Sequence, residues 1–232
     1  MSQASILSGV QGLKSARRAL LVIAHPDDES MFFAPTLHVL HNQGAVVRIL
    51  CLSNGDGDGL GVIREKELLA ACRVLQIPTQ NVTIVNHPQL QDGMARAWPA
   101  EAVAHQVEQQ LKQHPCDTVF TFDAHGVSGH LNHRGVHHGV RLLLESQGRQ
   151  LGVQAGWQLV SERLLHKYGC LLSAPLSALL LRPGQALVTS ARVWASVRAM
   201  AAHKSQWVWY RKLFVMLSSY TYVNRLQPMA LG

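Results

Sequence analysis

The stretch "AHPDDE" at residues 24–29 brings together side chains that can bind a metal ion and move protons. Its histidine and two aspartates, His25, Asp27 and Asp28, come directly after the apolar run at residues 19–24. Pro26 keeps His25 out of the helical region, so a turn is expected there. A strand that needed only a turn would not require an imidazole beside paired carboxylates.

A second stretch with the same chemical potential is "FDAHGVSGHLNH", at residues 122–133. Its glycines make a flexible approach to His130 and His133, which are spaced as His-x-x-His at the start of a predicted helix. Residues three apart share a helix face, so both imidazoles can point at one spot.

Together the two stretches offer the mixed nitrogen and oxygen ligands that Zn²⁺ accepts in tetrahedral geometry. A catalytic zinc keeps three protein ligands and one open position for water, so one histidine and one aspartate remain for proton transfer. A neighbouring carboxylate can then act as general base on that water. This combination predicts a metal-dependent hydrolase that acts on an amide.

The elements that must position these residues follow an alternating pattern of strands and helices. Apolar, β-branched runs predict strands, and the segments between them have the helical period, which together indicate right-handed βαβ units in a mostly parallel, doubly wound α/β sheet. Later in the chain, residues 157–160 and 186–189 are candidate strands and residues 190–217 are largely helical. The main predicted strands are 19–24, 46–52, 81–85 and 117–122, and the helices are 30–43, 62–75, 99–113 and 132–146.

In such a sheet, ligands bind beyond the carboxyl ends of the strands, where the strand order reverses. That point typically lies between the first and fourth strands. We therefore expect the loop after the fourth strand to meet His25, Asp27 and Asp28.

Composition favours one globular domain over residues 1–232, with residues 1–18 as a flexible or peripheral segment. Lysine and arginine outnumber aspartate and glutamate by 21 to 14, which favours an anionic partner. The cysteines are far apart and predict reduced core thiols: Cys51, Cys72, Cys116 and Cys170.

The two stretches also resemble the PIG-L/LmbE family of zinc-dependent N-acetylglucosaminide deacetylases. The resemblance is closest to the eukaryotic branch, which acts on N-acetylglucosaminylphosphatidylinositol in the second step of GPI-anchor synthesis. It extends to "MFFAPT" at 31–36, "REKELLAACRVLQIP" at 64–78 and "HKSQWVWYRKLF" at 203–214. The fold that it implies is a Rossmann-like sheet with helices on both faces and a helical C-terminal segment.

Carried over by position, the resemblance implies Zn²⁺ on His25, Asp28 and His133, and the ligand set does not exclude another divalent metal. It implies Asp27 as the general base. His130 would steady the tetrahedral oxyanion or protonate the leaving amine.

The resemblance leaves the orientation of His130 open, because Asn132 stands where bacterial relatives often have an aspartate. Asp123 is one candidate to hold His130, and capping of its own loop is the alternative. Ser128 stands where some bacterial members carry a tyrosine, so the resemblance implies only weak assistance to the oxyanion from this position. Arg64 is expected to line the sugar and phosphate side of the pocket, with an exposed helix position as the alternative.

The partner implied by the resemblance is a glycolipid, with no role for nucleic acid. No apolar segment of this chain approaches the roughly 20 residues that span a bilayer. We therefore expect peripheral contact with an anionic membrane, through aromatic and basic residues within 203–225. The expected location is the cytosolic face of the endoplasmic reticulum, or otherwise the cytoplasm. A deacetylase of soluble sugar conjugates and a non-catalytic binding protein remain alternatives, and the oligomeric state is not predicted.

Overall fold

The computed structural model describes residues 4–6, 11–94, 96–168 and 173–232. The described strands are β1 Ala4–Ile6, β2 Arg18–Ile23, β3 Val46–Cys51, β4 Val82–Ile84, β5 Thr118–Phe122, β6 Ala155–Leu159, β7 Ala186–Ser190 and β8 Val223–Met229. The described helices are α1 Gln11–Lys14, α2 Asp28–Phe32, α3 Ala34–Asn42, α4 Gly61–Val74, α5 Ala100–Gln113, α6 Gly126–Gly129, α7 Leu131–Gln147, α8 Leu164–Lys167, α9 Ser173–Leu179, α10 Val193–Ala202 and α11 Trp209–Leu217.

These strands form one sheet in the order β1-β7-β8-β6-β5-β2-β3-β4. The five strands from β4 to β6 in that order are mutually parallel. Strand β2 lies between β3 and β5, and its residues from Ala19 to Ile23 are buried. A strand covered on both faces by helices needs apolar side chains at every position, which explains the unbroken apolar run.

The direction of travel along the sheet reverses at β2. The chain moves outward from β2 to β3 and β4, then returns to β5 and continues to β6 on the other side. Because βαβ crossovers are right-handed, the helices of the two halves cover opposite faces. Accordingly α5 packs against α7, and α4 packs against α10. The crevice between the carboxyl ends of β2 and β5 is therefore the expected ligand position.

The other half of the sheet is antiparallel. Strand β8 pairs antiparallel with both β6 and β7, and β1 pairs antiparallel with β7. The sequence of β8, "VNRLQPM", has neither apolar alternation nor a β-branched run, so the pattern analysis missed it. The candidate strands after residue 157 are present as β6 and β7.

The predicted helix at 30–43 is broken in two at Phe33. Pro35 lacks the N–H that would continue the helical ladder, so α3 starts anew with proline in its first turn. The break would leave the Phe32 carbonyl and the Thr36 N–H unpaired. The buried Asn224 of β8 satisfies both, donating to Phe32 O at 2.8 Å and accepting from Thr36 N at 3.1 Å. A side chain from the far end of the sequence thereby fixes the helix that carries the acidic stretch.

The described part of the N-terminal segment belongs to the fold. Strand β1 is the edge of the sheet, and Leu13 and Ala16 are buried. That residues 1–18 form a flexible or peripheral segment stays a prediction. Cys51, Cys72 and Cys116 are free and buried, while Cys170 lies outside the described residues. Among the described helices, none combines the length and apolarity that a membrane span requires.

Candidate metal centre and active site

The carboxyl ends of β2 and β5 bring His25, Asp28 and His133 into one buried cluster. His133 Nε2 lies 3.1 Å from Asp28 Oδ1, and His25 Nδ1 lies 3.8 Å from Asp28 Oδ2. One ligand atom from each residue falls within 4.8 Å of the others. Because β2 and β5 are parallel neighbours, two loops that are about a hundred residues apart in sequence meet here.

The main chain holds two members of this cluster, Asp28 and His133. Asp28 Oδ2 accepts hydrogen bonds from the backbone N–H groups of Ala24 and His25, at 3.0 and 2.9 Å. His133 Nδ1 donates to Gly126 O at 3.1 Å, and the imidazole stacks on the Phe122 ring with centroids 4.1 Å apart. These contacts fix the carboxylate and the imidazole before any ligand binds.

The donor set fits a divalent cation. With Nδ1 of His133 donating to Gly126 O, Nε2 faces Asp28 Oδ1 at 3.1 Å, and among the described residues this buried atom makes no well-aligned hydrogen bond. Although burial opposes ionisation, His133 and His25 hold the pKa of Asp28 well below its usual range. Burial also works against a charged imidazole, but the Asp28 carboxylate raises the pKa of His133. An ionised carboxylate facing an imidazole nitrogen is the environment that a metal ligand set requires.

Asp92, which the sequence analysis did not identify, orients His25. Its Oδ1 lies 3.1 Å from His25 Nε2, and its Oδ2 accepts from Arg64 Nη1 at 3.1 Å. Despite partial burial, the contacts with His25 and Arg64 lower the pKa of Asp92 to about 2. A proton on Nε2 leaves Nδ1 of His25 free to face Asp28, as in the carboxylate–histidine–metal arrangement. Asp92 lies in an irregular segment after β4, where no local pattern marks it.

Asp27 is held in a strained conformation at the edge of the cluster. Its φ of 118° lies in the left-handed region, which non-glycine residues rarely adopt. Its carboxylate contacts Arg211 of α11 and lies 3.4 Å from Arg64 Nη2. Burial raises the pKa of Asp27, as does the charge of Asp28, while the two arginines oppose the increase. Strain of about 1–3 kcal/mol persists where the surroundings enforce it, which is common at functional sites.

Behind Asp27 lies a buried ion pair that the pattern analysis also missed. Glu29 Oε1 lies 2.8 Å from His203 Nε2, and Glu29 Oε2 accepts from the Asp27 N–H at 3.1 Å. Both side chains of the pair are fully buried. Glu29 therefore fixes the backbone of Asp27 and connects α2 to the end of α10. In sequence, Glu29 had only the features of an acidic residue in a helix first turn.

His130 is the N-cap of α7 and not part of the helix. Its Nδ1 accepts from the Asn132 N–H at 3.3 Å, so the neutral ring carries its proton on Nε2. Its ring centroid lies 4.8 Å from those of His25 and His133. Burial, together with these two histidines, lowers the pKa of His130 to about 4. The Asn132 side chain instead contacts His25, with its amide 3.0 Å from Nε2.

Asp123 caps its own loop. It accepts from the N–H groups of His125 and Gly126, at 3.0 and 3.1 Å, and from Ser161 N at 2.6 Å. These contacts correspond to the loop-capping alternative, and they occupy the carboxylate away from the cluster. Ser128 is exposed in the turn before α7, and no hydrogen bond joins it to the cluster among the described residues.

Arg64 is buried, so the alternative of an exposed helix position is wrong. Its guanidinium donates to Pro26 O at 2.8 Å and Gly55 O at 2.9 Å, in addition to its contacts with Asp27 and Asp92. Gly55 has a φ of 73°, and a Cβ there would lie 2.6 Å from the guanidinium carbon. Arg64 thus ties together the loops that follow β2, β3 and β4.

Comparison with known proteins identifies one family that this chain matches. Residues 20–144 match the family model described as PIG-L, GlcNAc-PI de-N-acetylase. The N-acetylglucosaminyl-phosphatidylinositol de-N-acetylase of Bos taurus is 40% identical over 90% of this chain and 82% of its own length. A probable enzyme of the same name from Schizosaccharomyces pombe is 38% identical over 98% of this chain and 93% of its own length.

A solved structure supports the fold. The N,N'-diacetylchitobiose deacetylase of Pyrococcus horikoshii superposes with a TM-score of 0.68, covering 96% of this chain and 87% of that one. The two sequences are 18% identical, so the likeness shows the shared fold alone.

Proposed function

We propose that this chain, which belongs to the PIG-L family, removes the acetyl group from N-acetylglucosaminylphosphatidylinositol and releases acetate. The observation that carries the proposal is the buried cluster of His25, Asp28 and His133, whose His133 Nε2 faces an ionised carboxylate beside Asp27. The reaction is the second step of GPI-anchor biosynthesis. It is a metal-dependent hydrolysis of an amide.

The three cluster residues would hold the metal, and Zn²⁺ suits their nitrogen and oxygen ligands better than a cation that prefers oxygen alone. When bound, the cation supplies Lewis-acid polarisation of the amide carbonyl and acidifies a water molecule. Asp92 orients His25 in this set, since a ligating histidine commonly donates its other N–H to a carboxylate.

Asp27 would accept the proton of the attacking water. Its pKa lies above the usual range because of burial, which brings the carboxylate closer to the basicity that a general base needs near neutral pH. Arg64 contacts the carboxylate, and the Glu29 side chain holds the Asp27 backbone by accepting a hydrogen bond from its N–H.

His130 would donate a hydrogen bond to the oxyanion of the tetrahedral intermediate. Its Nδ1 is occupied by the Asn132 N–H, so the Nε2–H is the group free to donate. A pKa of about 4 keeps the ring neutral at physiological pH. This favours the oxyanion role over protonation of the leaving amine.

Contact with an anionic membrane would be made by α11. Trp209 is 72% exposed and Tyr210 is 55% exposed, next to the basic residues Arg211 and Lys212. Other aromatic residues of the 203–225 segment, such as Tyr220, pack in the core. Peripheral docking through α11 would place the enzyme on the cytosolic face of the endoplasmic reticulum.

Acetate release from N-acetylglucosaminylphosphatidylinositol tests the proposal. The purified protein loaded with Zn²⁺ should release acetate, and a chelator should abolish the activity. A parallel assay on lipid-free N-acetylglucosaminyl-inositol separates a lipid enzyme from a deacetylase of soluble conjugates. No acetate from either substrate, with metal bound, would leave a non-catalytic binding protein.

A further inference from the structure

An apolar groove opens beside Asp27, and none of the catalytic roles assigned above uses it. We call it the α11 groove. It has a volume of about 390 Å³, and Met31 and Tyr168 line it opposite the α11 residues Arg211, Leu213, Phe214 and Leu217. Leu213 and Leu217, which line the groove, are each 44% exposed.

One side chain joins the groove to the catalytic cluster. Arg211 lines the groove, and its guanidinium contacts the Asp27 carboxylate. The Arg211 side chain is 22% exposed, so a group in the groove can reach it. A second cation lies at the same wall, with Lys167 Nζ 5.4 Å from the centroid of the Phe214 ring. The groove therefore combines an apolar wall with the Arg211 guanidinium, which contacts Asp27.

We propose that the α11 groove binds the glycerol and upper acyl-chain portion of a phosphatidylinositol-linked substrate, with Arg211 on the phosphodiester. The proposal rests on the proposed function and names the part of the substrate that lies farther from the reacting amide. Charge complementarity and continuity with Asp27 favour this occupant, because an anionic lipid offers a phosphate and an apolar chain side by side. Arginine suits the phosphodiester, since its planar guanidinium can donate two parallel hydrogen bonds.

The same arrangement gives Arg211 two alternative anionic partners. Without substrate it pairs with Asp27, and a bound phosphodiester competes for its guanidinium. Binding of the lipid phosphate therefore loosens one of the two arginine contacts on Asp27, while Arg64 retains the other.

Two short probes separate the phosphate from the chain: dihexanoyl phosphatidylinositol and glycerophosphoinositol, which lacks acyl chains. Binding of each is measured by titration calorimetry on the full chain. Wild type should bind the dihexanoyl lipid at least about tenfold more tightly, because the groove covers the acyl carbons. Arg211→Gln should weaken both probes by roughly tenfold, and Arg211→Lys should restore part of that loss.

The groove itself is tested by Leu213→Ser, which should weaken only the dihexanoyl lipid. Leu142→Ser is the matched control, because Leu142 is 42% exposed on α7 and does not line the groove. Arg198→Gln, on the exposed face of α10, controls for the loss of a positive charge.

Equal affinity of wild type for the two probes would overturn the proposed binding of the acyl chain in the groove. Equal losses of affinity in Leu213→Ser and Leu142→Ser would overturn it as well. An Arg211→Gln variant that binds both probes as wild type does would remove the phosphate contact. Turnover is not needed for this experiment. If the probes bind as expected but the protein releases no acetate, the proposed function is rejected and lipid binding in the groove is retained. If the protein releases acetate but the probes do not bind as expected, the proposed function is retained and the role of the groove is rejected.

Discussion

The two walls of the site differ in how they are built. On one side, the cluster of His25, Asp28 and His133 is at most 5% exposed, and main-chain groups hold Asp28 and His133. On the other side, α11 leaves Trp209 and Tyr210 largely exposed. Its Arg211 contacts Asp27, the neighbour of Asp28 in the chain.

This difference separates chemistry from recognition. Reactive groups must be positioned within fractions of an ångström, which buried backbone hydrogen bonds achieve at no cost during the reaction. A lipid substrate, in contrast, has to be met at a membrane surface, and exposed aromatic and basic side chains suit that contact. Four of the five predictions below concern these two walls and the ion pair behind Asp27, and the remaining one concerns acid stability elsewhere in the fold.

The largest effect is expected from His133→Ala, which removes a proposed metal ligand. Bound zinc and acetate release should both fall to background, because two remaining ligands cannot hold a catalytic zinc tightly. Elemental analysis after dialysis measures the metal. His137→Ala is the matched control, since His137 is equally buried one turn along α7 and its Nδ1 donates to Phe122 O. Full zinc occupancy in His133→Ala would move the ligand role to another residue.

Asp27→Asn should retain zinc and lower kcat by about 10²-fold or more, the usual scale for a general base. Asparagine tolerates the positive φ of this position, so the backbone strain is unchanged. Asp58→Asn, at an exposed position, is the control. Near-normal turnover of Asp27→Asn would remove this carboxylate from the mechanism.

His203→Ala tests the buried Glu29–His203 ion pair, which connects α2 to the end of α10. It leaves the Glu29 carboxylate buried without its partner, so the free energy of unfolding should fall by about 3–5 kcal/mol. Denaturant titration measures the change, with the exposed His105→Ala as control. A loss below about 1 kcal/mol would show that Glu29 finds other compensation.

His38 lies remote from both walls. We expect its protonation to lower the free energy of unfolding in acid. Burial lowers its pKa from 6.5 to about 4, and the charges of Arg192 and His41 act in the same direction. Below pH 6.5 the unfolded chain binds a proton that folded His38 accepts only near pH 4, so the free energy of unfolding falls across this window. The contribution is about 2–3 kcal/mol at pH 4.

The measurement is the pH dependence of unfolding in wild type and in His38→Gln. The variant should lose less stability between pH 6.5 and pH 4, whereas His138→Gln, at an exposed position, should follow wild type. Identical slopes for wild type and His38→Gln would mean that His38 becomes protonated without cost.

The smallest effect concerns the open wall. Trp209→Ser should reduce sedimentation with liposomes that contain phosphatidylinositol by roughly tenfold, and salt should weaken the binding of wild type. Trp194→Ser is the matched control, because Trp194 is 78% exposed on α10. Equal losses of liposome binding in the two variants would indicate nonspecific adsorption through exposed tryptophans. Salt-insensitive binding to neutral liposomes would contradict electrostatic docking.

The sequence alone determined the parallel half of the fold and the meeting of the two motifs. Unbroken apolar runs are diagnostic of strands covered on both faces, and βαβ handedness then fixes which strand ends lie together. These rules brought the acidic stretch after β2 to the histidines that follow β5. The roles of His25, Asp28, His133 and Asp27 in catalysis stay predictions.

The tertiary structure alone decided the contacts that hold the site in place. Asp92 reaches His25, His203 reaches Glu29, and Arg211 reaches Asp27, each from a distant segment, and no local periodicity predicts these pairings. The sequence of strand β8 likewise lacks alternation. The strand is buried because it lies between β6 and β7, a position that only the tertiary structure shows. Periodicity reports which face of an element is buried, whereas side-chain pairing across the chain depends on the packed geometry.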